Sequence, residues 1–107
     1  VLFRSHSGDN CPYEGLLENL NKHNIDLALL PVNGRGKAEG IKGNFTFSEA
    51  VELADNAQIS ELIVHHFGMF EFNTIERSEL NEMLMSQYSS DCKIHVPEID
   101  KCYYYQY

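Results

Sequence analysis

Two adjacent histidines, His65 and His66, close a short apolar run, Leu62 to Val64, and an aromatic-rich stretch from Phe67 to Phe72 follows, with Gly68 inside it. An imidazole titrates near neutrality and, as the neutral ring, is a common metal ligand. If the run is a strand, alternation sends neighbouring side chains to opposite faces. The two histidines are then expected to differ in role. One points into a site beyond the strand's carboxyl end and the other faces the opposite layer. The plainer reading is a pair of polar residues that ends a strand. A second stretch with chemical content is 32–45. It holds four of the seven glycines, Gly34, Gly36, Gly40 and Gly43, together with Arg35, Lys37 and Lys42, an island of positive charge in an acidic chain. A loop that leaves a buried parallel strand is where α/β proteins place ligand contacts. The plainer reading there is a flexible connector carrying solubilising cations.

The elements that would position these residues follow from periodicity. Pro12 suits a first helical turn, and Tyr13, Leu16, Leu17 and Leu20 recur at helical spacing, which predicts a helix over 12–23 with Asn24 as its stop. Residues 25–31 are nearly continuous in apolar side chains after Asp26, the pattern of a strand covered on both faces. Thr46 and Glu49 stand at the two positions of a capping box, with Phe45 and Ala50 at the staple positions. Ala50, Val51, Leu53, Ala54 and Ala57 continue the apolar stripe of a helix over 47–57, which leads into a strand over 62–66. Residues 73–76 read as another cap, and Leu80, Met83, Leu84 and Tyr88 predict a helix over 75–88. Residues 92–96 alternate as a strand stopped by Pro97, and 101–106 read as a final aromatic strand, so that the chain closes with a hairpin. Helix, buried strand, helix and strand in alternation predict an α/β fold.

Composition narrows the function. At 107 residues with 43% hydrophobic content, the chain can form at most one modest domain with a core. A formal charge of −8 argues against a sequence-independent nucleic-acid partner and against an anionic membrane. Cys11, Cys92 and Cys102 are odd in number and irregular in spacing, giving neither a disulfide framework nor a paired metal motif. Reduced thiols in the cytoplasm are the default expectation. The amino terminus, with one Arg and three apolar residues, lacks the pattern of a signal peptide. Residues Val1 to Ser5 carry no initiator Met and match the translation of a sequencing adaptor. They are expected to be an assembly scar (residues 1–5), with the natural chain continuing upstream of residues 6–107.

Five blocks in order resemble the carboxyl-terminal half of a metallo-β-lactamase-fold hydrolase, nearest to the ascorbate-6-phosphate-lactonase-like branch. They are residues His6-Ser-Gly-Asp9, Ile25-Asp-Leu-Ala-Leu29, Asn33-Gly-Arg-Gly36, Asn44-Phe-Thr46 leading into Glu49-Ala50, and Leu62-Ile-Val-His-His-Phe-Gly68. The resemblance implies half of an αββα sandwich, with helices packed on a mixed sheet, as an incomplete domain. It also implies exposed apolar surface where the missing amino-terminal half would pack.

By the same resemblance, Asp9 matches the carboxylate that follows a strand and bridges or supports metal ions. His66 matches the last histidine ligand, in a block the family often writes as Pro-x-His followed by an aromatic; here Val64 stands at the Pro position. His65 then falls at the variable position, as a neighbour supporting or packing against the ligand. Carboxylate combined with imidazole suits Zn or Mn. A metal of this kind brings water toward a pKa of ~7 and polarises a carbonyl, which implies hydrolysis of a small anionic ester or lactone. Arg35 is then a candidate contact for the substrate's anionic group, because its planar fork matches carboxylate or phosphate.

The family's His-x-His-x-Asp-His motif and one further histidine ligand belong to the other half and do not occur in this chain. Two ligands fall short of the three usual for a catalytic zinc, so the chain alone is expected to be inactive, with the missing half of the same domain as its natural partner. Homo-oligomerisation stays open. The competing expectation is a short non-catalytic α/β interaction module; a nuclease of the same fold is disfavoured by charge.

Overall fold

The computed structural model describes residues 3–34, 44–68, 74–86 and 90–104. The order of elements is β1 (Arg4–His6), α1 (Leu16–Asn21), β2 (Leu27–Pro31), α2 (Phe47–Asn56), β3 (Glu61–His65), α3 (Arg77–Ser86) and β4 (Lys93–His95). The strands form one sheet in the order β1-β2-β3-β4, and every neighbouring pair is parallel. Leu29 lies opposite both His6 and Ile63, and Pro31 lies opposite His65. The chain is therefore an α/β unit. Sequential parallel strands joined by crossovers of one hand carry their helices on one face of the sheet.

The core shows that arrangement. Ala28, Leu30 and Val32 from the centre of the sheet, and Leu62 and Val64 from β3, belong to one buried cluster with residues of all three helices. Alternate residues of β2 and β3, among them Leu27, Leu29 and Ile63, point the other way. Helix α2 is specified most fully. Thr46 accepts from the Glu49 amide at 3.2 Å while the Glu49 carboxylate accepts from the Thr46 amide at 2.9 Å, completing the expected capping box. Ala50 and Ala54, both fully buried, let the helix approach the sheet closely. The thiol of Cys92 is pushed up to about 12, first by burial and then by the nearby negative charges of Asp55 and Glu61.

Arg4 and Ser5 pair with Leu27 and Ala28 in β1, a strand too short to show a period. Three expectations are corrected. Helix α1 begins only at Leu16, because Gly15 takes a left-handed φ of 91° and breaks the first predicted turn, and it ends at Asn21 with Lys22 as its cap; Asn24 follows with φ 48°. The sheet is parallel rather than mixed among the described residues. β4 pairs with β3 instead of forming a hairpin, and 101–104 take no strand conformation. The physical reason lies in α3. Leu80 is buried in the common core, and Arg77 donates to the carbonyls of Val96 (3.2 Å) and Pro97. That crossover returns β4 alongside β3 in the same direction.

The apolar side chains facing away from the helices are not bared as expected of a half-sandwich. Leu27 and Pro31 are buried, and Leu29 and Ile63 are half-buried. The rings of His6 and His65, stacked with centroids 4.9 Å apart, reach across the intervening β2 on this side. Among the described residues no helix is long and apolar enough to cross a membrane.

Candidate functional site

The carboxyl ends of β1, β2 and β3 bring together residues that lie far apart in sequence. After β1, the Ser7 amide still donates to the Leu29 carbonyl at 3.2 Å, and the chain then turns through Gly8 at φ 61°. This conformation suits glycine. The turn is held by the Gly8 amide, which donates to Nδ1 of His6 at 3.0 Å, and it delivers Asp9. From the other side, His66 leaves β3 with a left-handed φ of 60°. Its Nδ1 meets Oδ1 of Asp9 at 2.9 Å. Asp9 and His66, matched to metal ligands by resemblance, are thus direct partners.

His65 does not separate from His66 as strand alternation predicts. The left-handed turn at His66 takes that residue out of the strand repeat, and the two rings meet edge to face with centroids 4.7 Å apart. His65 is wedged between His6 and His66, hydrogen-bonded to the Leu29 backbone, while its Nε2 is buried without a hydrogen-bond partner. Its pKa is lowered to about 4. Burial contributes most, followed by the neighbouring His66 and His6, against smaller opposing effects of the Leu29 bond and of Asp9. His65 is therefore a neutral ring at neutral pH.

A residue not singled out for any role ties the site together. Asn44 receives the Asn10 amide on its Oδ1 at 2.8 Å, and its Nδ2 donates to Asn33 at 2.6 Å and to Asp9 at 3.4 Å. It opens one of the five blocks of the resemblance, but its bonding role is not legible there, because its three partners come from loops 11 to 35 positions away. The base of the glycine-rich loop is closed here as well. Gly34 donates to the Phe45 carbonyl at 2.9 Å, and Asn33 bridges Thr46 in antiparallel fashion. A Cβ at Gly34 would stand 1.9 Å from the Asn44 carbonyl oxygen, so only glycine passes. Arg35, with Lys37 and Lys42, lies outside the described residues.

The donor types at Asp9 and His66 suit a divalent metal such as Zn or Mn, but their number does not. Among the described residues no group of three or more His, Cys, Asp or Glu side chains is arranged to hold a metal ion. A second histidine–carboxylate pair, Nε2 of His95 with Oε2 of Glu61 at 2.9 Å, lies within the sheet rather than at its carboxyl edge. A hollow of about 390 Å³ opens at the amino end of the sheet, lined by the ends of α1 and α2 and by Asp26, and none of the proposed site residues reaches it. Its open, polar walls give it no connection to the chemistry of the histidines. No protein-family model matches the chain, and no curated protein matches it.

Proposed function

We propose that this chain is the carboxyl-terminal half of a metal-dependent hydrolase of the metallo-β-lactamase type, acting on a small anionic ester or lactone. The observation that supports this most is the meeting of Asp9 and His66 at 2.9 Å. They stand at the carboxyl edge of a parallel sheet, where α/β proteins place their active sites. In this reading Asp9 and His66 supply part of the ligand set for Zn or Mn, and His65 packs as a neutral neighbour. The remaining ligands come from an amino-terminal half, and Arg35 meets the substrate's anionic group. The natural protein is cytoplasmic, with no nucleic-acid or membrane partner, and this chain alone has no turnover.

Two measurements test the proposal. Upstream reading frame should encode a His-x-His-x-Asp-His block; a start codon a few residues before His6 sinks the hydrolase. In the parent protein, Asp9→Ala and His66→Ala should each lower bound Zn or Mn measured after purification, and unchanged metal content removes both ligand assignments. The second reading is a non-catalytic α/β interaction module. That reading is supported if the parent carries no metal.

A further inference from the structure

We propose that Asn44 is the positioning residue that holds the Asp9 carboxylate against His66. The orientation of its amide follows from chemistry. A backbone N–H can only donate, so the group 2.8 Å from the Asn10 amide is Oδ1. Nδ2 is thereby turned toward two acceptors, Oδ1 of Asn33 at 2.6 Å and Oδ1 of Asp9 at 3.4 Å. Both hydrogens of the amide are then engaged. The same Asp9 oxygen meets His66 Nδ1.

Asp9 needs such a support. Its side chain is 75% exposed, and among the described residues its hydrogen-bonding partners are His66 and Asn44. A solvated carboxylate on a turn otherwise keeps its rotamer freedom. Asn44, in contrast, stands on a rigid base. It precedes the buried Phe45 and the Thr46 cap of α2, and its backbone is pressed against Gly34. The order imposed by the capped helix therefore passes through one amide to Asp9, and from Asp9 to the ring of His66. With Asp9 accepting at Nδ1, the His66 proton sits on that nitrogen and Nε2 carries the free lone pair.

The inference shares its site with the proposed hydrolase and rests on that reading for the purpose of the pair. Its test uses the metal-free chain and stands apart from metal content. Side-chain ¹⁵N NMR of His66 in the full chain should show two distinct ring nitrogens, with the proton on Nδ1. Asn44→Asp keeps the size and the acceptor for the Asn10 amide but places a carboxylate oxygen where Asp9 and Asn33 require a donor. The two nitrogen resonances should converge toward a tautomer average in this variant while the core methyl resonances stay dispersed. Asn33→Ala leaves Asn44 in place, removes its shortest contact and should give a partial convergence. A merely structural role would lower thermal stability without moving the ring nitrogens. Unchanged His66 nitrogens in folded Asn44→Asp, or in Asn33→Ala should Asn44→Asp not fold, overturn the proposal. A wild-type His66 already averaged between tautomers overturns it too.

Discussion

Among the described residues two histidine–carboxylate pairs have the same separation, 2.9 Å, and their surroundings differ in kind. His95 and Glu61 both sit on strands, β4 and β3, with side chains 21% and 27% exposed. The β-ladder sets their backbone positions, and the pair joins a three-residue edge strand to its neighbour. His66 and Asp9 both sit just beyond strands. Their side chains are 31% and 75% exposed, and no ladder fixes them. Their alignment depends on a left-handed residue, a glycine turn and the amide of Asn44. The first pair is a fastening of the sheet. The second is an arrangement of loops at the sheet's carboxyl edge, the part of an α/β fold that is free to carry chemistry.

Substitutions that strike one pair and spare the other test this contrast. The largest effect is expected from Gly34→Ala, because the added Cβ meets backbone 1.9 Å away and either loop must shift. Overpacking of this kind costs about 1–3 kcal/mol, to be read from urea unfolding. The Asp9–His66 contact should be lost with it, while histidine NMR shows His95 unchanged. Equal disturbance of both histidines would mean that the two regions are not independent. Next, Glu61→Ala should cost about 1–2 kcal/mol, as expected for a half-buried hydrogen bond involving a charged group.

Asp9→Ala should cost about 0.5 kcal/mol or less, since exposed pairs contribute little. A larger loss for Asp9→Ala than for Glu61→Ala would reverse the assignment of fastening and site. A separate effect concerns pH. The depressed pKa of His65, about 4 against an ordinary 6.5, means that the unfolded chain takes up a proton first as pH falls. The stability contributed by the neutral ring is complete above pH 6.5 and is lost as pH falls from there to about 4. Midpoints of urea unfolding across that window should fall less steeply with decreasing pH in His65→Phe than in the parent chain. Identical slopes would place the origin of acid sensitivity elsewhere.

Local pattern carries much of this structure. The capping box at Thr46 and Glu49, the alanine stripe of α2 and the apolar runs of β2 and β3 are each contained in about ten consecutive residues. Their physics is equally local: an amide satisfied three positions away, or a side-chain period matched to a backbone period. The α/β class follows from their alternation. The same reasoning marked His65 and His66 as chemically loaded, while the link of His66 to Asp9 came from resemblance to a family.

Tertiary structure decided what depends on partners distant in the chain. β1 is three residues long and becomes a strand only by pairing with Leu27 to Leu29. The direction of β4 was set by how α3 packs through Leu80, and no alternation within 92–96 contains that information. Two adjacent histidines on a regular strand would point apart, yet a left-handed φ at His66 brings their rings into contact. Asn44, one amide among many, acquires its importance from three loops that meet only in the fold. The sequence by itself determined the elements and the chemical types available at their ends, because periods and caps act over a few residues. The fold alone decided which of those groups touch, because contacts across 11 to 57 positions are made by packing and not by local preference.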